Sequence, residues 1–423
     1  MLLRQYNEIK EIKKSTPTIK SQNQIRIEGP LTARSLAYSQ HNEMMMRLNT
    51  QRTSMKIDKA EGRFWTLYNE KTNNKKDYLT VDELYEIEEE FNKLMALVPN
   101  ILLEEVPIGK DETENVIVRQ VGKKTTFSFK PKSYLELSQK LDLIDIKRAV
   151  KIAGARFAYL KREAVFIEFA LINLVFNELT KEGFVPVLPP VMIRPEMAWG
   201  MGYLEQEDKK EAYFLPIDNL YLAGTSEQTI GTMHANEIFR EEELPKRYLA
   251  FSTCFRREAG SYGKDTKGIF RVHQFDKIEM FSFCKPEDSQ KEHKFLLAQQ
   301  EKLMKLLKIP YQVVKLCSGD LARPSAMTYD IEAWFPSENR YRETHSTSNC
   351  TDFQARRLNI RFRRNKDKNL YFVHTLNATA FAIGRILIAI IENYQQKDGS
   401  IKVPPVLQKY LGNKKRIPWL ERD

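Results

Sequence analysis

The sequence predicts an α+β protein: an antiparallel helical hairpin of coiled-coil type, then a larger domain of sheet and helix. Three observations predict it. From about residue 35 to 98 the chain holds no proline and a single glycine, Gly62, and its apolar residues recur at helical spacing. From about residue 125 onward, helical and extended runs alternate. Within that second part, residues 254–281 read as two extended halves joined by a Gly- and charge-rich loop. The expected division is 1–105 and 106–423, with the helical arm at about 35–98.

Residues 1–34 are polar and basic, and Pro17 and Pro30 limit any long helix there. Ile57, Ala60, Phe64 and Leu67 then form one apolar seam, and Leu84, Ile87, Phe91, Leu94 and Val98 a second. The intervening KTNNKKD (71–77) reads as a hinge. Residues 44–76 carry eight basic side chains, Arg47, Arg52, Lys56, Lys59, Arg63, Lys71, Lys75 and Lys76, against three acids. Residues 77–98 carry seven acids and only Lys93. Opposite charges beside facing seams favour an antiparallel pair with a basic tip. The alternative is a hairpin packed flat on a globular body. Pro99 ends the second helix, and a turn-rich linker follows. A helix is expected over Ala164–Glu182, stopped by Gly183, and prolines keep 184–193 extended. Short strands are expected at 212–223, 248–255, 269–283 and 328–335, and a last helix over 377–394, starting near Asn377.

Composition narrows the class. The 67 Lys and Arg exceed the 56 acids and give a net charge of +11, compatible with a polyanionic partner or with ordinary solvated basic faces. Cys254, Cys284, Cys317 and Cys350 form no CxxC clip and no zinc-spaced cluster, so reduced thiols and no zinc are expected. No apolar run approaches the ~20 residues that span a bilayer, so no membrane partner is expected. The N-terminus carries Glu8 and Glu11 and no apolar signal core. A cytoplasmic protein is expected, with a mitochondrial location left open.

The segment CFRREAGSYGKDTKGIFRVHQFDKIEMF (254–281) carries the chemistry. On its first half Arg256 and Glu258 are two apart and share a strand face. On its second half Arg271, Phe275 and Glu279 are spaced by four and share another. Two arginines, two glutamates and an aromatic make a poor apolar surface. They suit a nucleotide: guanidinium forks for phosphates, a ring platform for a base, an acid for amines. A solvent-exposed hairpin face explains any one pair but not all five residues. Arg385, in the apolar run AFAIGRILIAII, would be a costly buried cation unless paired.

This segment resembles motif 2 of the class II aminoacyl-tRNA synthetases in their seryl form. GTSEQ (224–228) is similar to the TSE loop of that family, and YRETHSTSNCTDFQARR (341–357) to its ATP and metal strand. HTLNATAFAIGRILIAIIENYQQKDGSIKVPPVL (374–407) resembles motif 3 with its tail, and ALINLVFNELTKEGFVPVLPP (170–190) motif 1, the dimer-forming helix and strand. The resemblance implies an antiparallel sheet flanked by helices, a homodimer, and a serine–tRNA ligase. Such an enzyme joins L-serine to ATP as seryl-adenylate and passes it to tRNA(Ser), or to tRNA(Sec) where one exists. It implies that Arg256, Arg271 and Arg385 carry catalysis, and that Arg256, Arg257, Glu258, Arg271, Phe275, Glu343, Ser346 and Arg385 hold ATP. Glu343 and Ser346 would ligate Mg²⁺. Thr225, Ser226, Glu227, Glu279, Asn377 and Thr379 would hold serine. The tRNA would meet the arm through Arg47, Arg52, Lys56, Lys59 and Arg63, and the motif 2 loop through Lys264 and Lys267.

The chain departs from the family pattern at a few places. His345 and Thr347 are unusual on the metal strand, Ala378 adds a methyl where glycine is usual, and Tyr134 stands where histidine is common. Competing readings are a catalytically inactive, synthetase-derived tRNA-binding protein, a paralogue that charges a carrier protein, and a basic coiled-coil nucleic-acid binder. Retention of Arg256, Arg271, Arg385 and Glu343 speaks against the first, and the arm-like segment without a zinc-type cluster against the second. The third leaves the hairpin face unexplained.

Overall fold

A computed structural model describes residues 24–26, 78–80, 99–203, 211–259, 265 and 267–418. The chain divides into two units, Met1–Glu104 and Glu105–Asp423. Most of the expected helical arm lies outside the described residues, as do Arg47, Arg52, Lys56, Lys59, Arg63 and Lys264. Two short strands of the first unit are described: Gln24–Arg26 pairs antiparallel with Tyr78–Thr80. Residues 78–80, directly after the expected hinge at 71–77, are therefore extended.

The second unit is built on an eight-stranded sheet. In chain order its strands are β1 (Val116–Val121), β2 (Val185–Val187), β3 (Lys246–Phe255), β4 (Gln274–Cys284), β5 (Tyr311–Lys315), β6 (Met327–Phe335), β7 (Arg340–Asn349) and β8 (His374–Ala382). Their spatial order is β1-β5-β6-β7-β8-β4-β3-β2. Every neighbouring pair is antiparallel except β3 with β2. The helices that matter here are α1 (Tyr134–Lys140), α2 (Glu163–Leu179), α3 (Ser226–Thr232), α4 (Ser289–Leu307) and α5 (Ile383–Asn393).

Local chemistry sets these boundaries. Ser133 caps α1 by accepting the Glu136 N–H at 3.3 Å. After α2, a short 3₁₀ turn over Thr180–Glu182 leads into Gly183 at φ 84, the left-handed stop its position predicts. Alternation then divides the central strands. Ile278 and Met280 of β4, with Leu376, Ala378 and Ala380 of β8, enter one large core with Leu171 and Leu174 of α2, Leu303 of α4 and Ile386 of α5. The intervening residues face the other way, toward the cavity described below.

Two expectations need correction. The last helix does not start near Asn377: residues 374–382 form β8, hydrogen-bonded between β4 and β7, and α5 begins at Ile383. Seven of the nine residues of β8 are buried, with Thr375, Asn377 and Thr379 alternating with Leu376, Ala378 and Ala380, which fits a central strand better than a helix start. The hairpin over 254–281 also differs. Its ladder pairs 246–255 with 274–283 and is extended only by the Arg256 N–H, which donates to the His273 carbonyl at 2.9 Å, so Glu258 and Arg271 lie outside it. The cause is competition for backbone groups. The His273 N–H donates to the Arg156 carbonyl at 3.0 Å and the Arg257 N–H to the Glu211 carbonyl at 2.7 Å. Glu258 turns left-handed at φ 52.

Candidate active site

The site begins with β4, where Phe275, Lys277 and Glu279 alternate onto the face away from the core. Asn377 and Thr379 of β8 and Ser346 and Ser348 of β7 join them on that face. The β6–β7 ladder shifts register between Ile331 and Glu332, so that Thr344 is the extra residue and Glu343 comes round to the same side. Arg256 and Glu258 enter from the end of β3, Arg271 from the approach to β4, and Arg385 from the first turn of α5. Together they line a cavity of about 350 Å³.

One end of the cavity is rich in arginine. Arg385 reaches the Glu343 carboxylate at 2.9 Å and the Glu343 carbonyl at 3.2 Å. Arg271 pairs with Glu258. The Arg256 Nε donates to the Gly224 carbonyl at 3.0 Å, and its guanidinium lies 5.4 Å from the Phe275 ring centre. A guanidinium carries five N–H donors, more than the contacts named here use, so each arginine has donors to give to an incoming anion. Asp330, across the ladder from Ser346, is half-buried, with one carboxylate oxygen fully enclosed. Desolvation and the Glu343 charge push its carboxyl well above the usual range.

The other end is small and polar. Glu227, in the first turn of α3, accepts from Asn377 Nδ2 at 3.0 Å, Gln354 Nε2 at 3.2 Å and the Tyr203 hydroxyl at 3.2 Å. Burial first, and then the Glu279 charge, push its pKa up to about 7. Glu279 accepts from Lys277 Nζ at 2.8 Å and from the Thr379 hydroxyl at 3.3 Å. From beneath the sheet, Gln300 of α4 donates to the carbonyls of Thr379 at 2.8 Å and Ser346 at 3.0 Å, tying the two ends together.

The structure thus gathers Arg256, Glu258, Arg271, Phe275, Glu343, Ser346 and Arg385 with Glu227, Glu279, Asn377 and Thr379. It does not place Arg257, Thr225 or Ser226 on the lining. Arg257 points at the Tyr213 ring, 5.9 Å away. Thr225 caps α3, accepting the Glu227 N–H at 3.3 Å, and Ser226 is buried behind it. The unusual residues also fall away from the cavity. The Ala378 methyl packs in the core, and His345 and Thr347 are buried on the core side of β7. His345 lies tilted against Phe381, their ring centres 5.7 Å apart, and burial holds its pKa down to about 3. Lys267 is exposed on the loop.

Sequence reasoning missed Lys277, Tyr203, Gln354 and Asp330. Lys277 had a signal, since it lies between Phe275 and Glu279 in the same alternation. Tyr203 and Gln354 come from distant segments, and no local pattern marks them.

A compact site with three arginines at one end and a small acid-lined pocket at the other can hold a polyphosphate beside a small ammonium-bearing molecule. Comparison with known proteins agrees. Residues 213–394 match the tRNA synthetase class II core domain (G, H, P, S and T). The chain is 48% identical over 327 residues to the serine–tRNA ligase of Sulfurihydrogenibium sp. (strain YO3AOP1), covering 77% of this chain and 78% of that one. It is 46% identical over 332 residues to the serine–tRNA ligase of Nitrosopumilus maritimus (strain SCM1), covering 78% and 79%. Among solved structures, the seryl-tRNA synthetase of Pyrococcus horikoshii complexed with ATP superposes with a TM-score of 0.78 at 38% identity, covering 92% of this chain and 90% of that one. The cytoplasmic serine–tRNA ligase of Naegleria fowleri in complex with AMP gives 0.75 at 36%, covering 80% and 73%.

Proposed function

The chain belongs to the serine–tRNA ligase family of class II synthetases, and from that premise we propose how its residues divide the work. The activity is ligation of serine to tRNA in two half-reactions: serine and ATP give seryl-adenylate and pyrophosphate, and the seryl group then passes to the tRNA terminal ribose. The observation that carries the assignment of roles is the joining, in one cavity, of Arg256, Arg271 and Arg385 with the acid-lined pocket of Glu227 and Glu279.

The first half-reaction brings a carboxylate to the α-phosphorus, so two anions must approach. Arg256, tied to the Gly224 carbonyl just ahead of the helix that carries Glu227, binds the serine carboxylate and the α-phosphate. Arg271 and Arg385 bind the outer phosphates, exchanging their present partners Glu258 and Glu343 for phosphate oxygens. Phe275 supports the adenine. Catalysis on this reading is positioning and charge stabilisation, with no side-chain nucleophile. Glu227 and Glu279 hold the serine ammonium, and Thr379 with Asn377 receives the hydroxyl. A pocket built around that hydroxyl rejects alanine strongly, because its own polar groups would be left unpaired, and threonine by size.

The residues present fit Mg²⁺. Glu343 and Ser346 offer oxygen ligands on one wall of the cavity, beside the arginines that would hold phosphates, as suits a hard cation shared with a nucleotide. Bound there, Mg²⁺ would neutralise phosphate charge and fix the bend of the triphosphate.

A homodimer is proposed on the apolar surface of α2 and the sheet edge, where Phe166 is 64%, Phe169 59% and Leu188 77% exposed. Lys267, Lys264 and the arm residues Arg47, Arg52, Lys56, Lys59 and Arg63 are proposed to meet serine tRNA, mainly by backbone and shape readout. The four buried, free thiols support a reducing, cytoplasmic setting. Among the described residues no helix is long and apolar enough to cross a membrane.

Serine-dependent ATP–pyrophosphate exchange tests the assignment. Exchange is expected with serine and not with alanine, with threonine far weaker. Arg256→Ala is expected to lower the rate by roughly a hundredfold or more. A folded wild-type protein without exchange would sink the reading.

A further inference from the structure

Phe270 and Arg271 lie on the segment that returns from the loop to β4, ahead of the first ladder residue, Gln274. Both line the cavity, yet the sheet does not hold them. The hold comes from Tyr134, the first residue of α1. Its hydroxyl accepts the Ile269 N–H at 2.9 Å and donates to the Lys267 carbonyl at 3.4 Å. Gly268, between them, has φ +85, and a Cβ built on it would lie 1.6 Å from the phenol oxygen. The hydroxyl occupies room that only a glycine leaves.

The anchor behind Tyr134 is equally specific. Its backbone N–H donates to Glu392 Oε1 at 3.0 Å, on α5, the helix that begins beside Arg385. Ahead of Tyr134's turn, the Phe270 ring meets two guanidinium groups, Arg342 at 3.6 Å and Arg385 at 4.8 Å from its centre. Arg342 is itself pinned by Glu338 and Asp265. The ring faces are thus set by arginines, and the backbone leading into them by one phenol.

We propose that Tyr134 is a positioning residue for ATP: it fixes the 267–269 turn and so sets where Phe270 and Arg271 stand in the cavity. It does not itself line the cavity. Its hydroxyl both donates and accepts here, which phenylalanine cannot reproduce and a neutral imidazole, with one donor and one acceptor, can. Burial pushes the phenol up to about 12, so both functions persist through the neutral range.

The proposal rests on reading the cavity as the ATP site, and the test separates the two. Serine-dependent exchange is measured for wild type, Tyr134→Phe and Tyr134→His, varying ATP at saturating serine and then serine at saturating ATP. In Tyr134→Phe, which loses both hydrogen bonds of the hydroxyl, the KM for ATP is expected to rise about three- to tenfold. The KM for serine is expected to stay within about twofold of wild type, and Tyr134→His to recover most of the loss. An unchanged ATP KM, or equal rises in both KM values, would overturn the positioning role. Absent exchange in the wild type would overturn the site reading instead, and equilibrium binding of ATP to wild type and Tyr134→Phe would then decide Tyr134's part directly.

Discussion

The Glu227 carboxyl is enclosed by three neutral donors, and burial with the Glu279 charge raises its pKa from 4.5 to about 7. If its charged form holds the serine ammonium, the working state fills only as pH rises through 7. The KM for serine is therefore expected to fall between pH 6 and 8 in wild type and to lose most of that slope in Glu227→Gln. Stability has the opposite sign. The folded form keeps a proton that the unfolded chain releases near 4.5, so the contribution of the neutral carboxyl is full below that value and lost as pH rises through about 7. The shift corresponds to about 3 kcal/mol at full extent. Glu227→Gln is thus expected to melt higher than wild type at pH 8, while binding serine less well. A variant that loses serine affinity and stability together would show that Glu227 acts only as a packing residue. The same residue-by-residue reading disposes of Ala378: its methyl is in the core, so its departure from glycine bears on packing rather than on serine.

Whole elements carry the site because they are fastened to one another below it. Arg247 of β3 makes a two-pronged contact with Glu292 of α4, at 2.6 and 2.7 Å, and Glu292 also accepts from the Ser282 hydroxyl of β4 at 2.8 Å. Glu292 is 4% exposed, so removing it leaves Arg247 half-buried without its carboxylate. Glu292→Ala is expected to cost about 3 kcal/mol, read as a lower urea midpoint, with both KM values little changed in the protein that remains folded. A midpoint equal to wild type would show the pair to be dispensable. Elements were legible in the sequence where one local rule decides them. The α2 helix, its glycine stop and the proline-kept extended segment after it needed nothing from the rest of the chain. The stretch 374–382 was not legible, because Leu376, Ala378 and Ala380 suit a helix as well as a strand, and only pairing with β4 and β7 decides. The ends of the hairpin were hidden for a related reason: Arg156 and Glu211, distant in sequence, take the backbone donors that would have lengthened it. Arg256 and Arg271 were found because charge on a strand-like face is conspicuous. Tyr203 and Gln354 were not, because each reaches Glu227 from another part of the fold.

At the scale of the whole molecule, the sheet ends at β2, and the chain beyond that edge is apolar and open to solvent. Val185 of β2 is 53% exposed, Phe166 and Phe169 of α2 are exposed as well, and Ile172 and Phe176 of the same helix share a groove with Leu188. Large apolar side chains grouped this way on one surface usually have a partner. A two-fold axis would let the same patch serve both chains, since such an interface is self-complementary. The inner face of α2 is spent on the core through Leu171 and Leu174, so its outer face can change without emptying the interior. That separates assembly from folding. Phe169→Glu would place two charges against each other across the axis, and is expected to shift the protein from dimer to monomer in light scattering at micromolar concentration. Its melting temperature, measured on the monomer, should stay close to that of wild type diluted below its own dissociation constant. Exchange activity is expected to fall with the dimer and to return as concentration is raised. That coupling follows if α2 and the adjoining strands need the second chain to hold their places beneath β3 and β4, where Phe275 and Glu279 stand. A Phe169→Glu monomer with undiminished exchange would confine the dimer's role to the steps after adenylate formation. A protein that remains dimeric would place the interface on another surface.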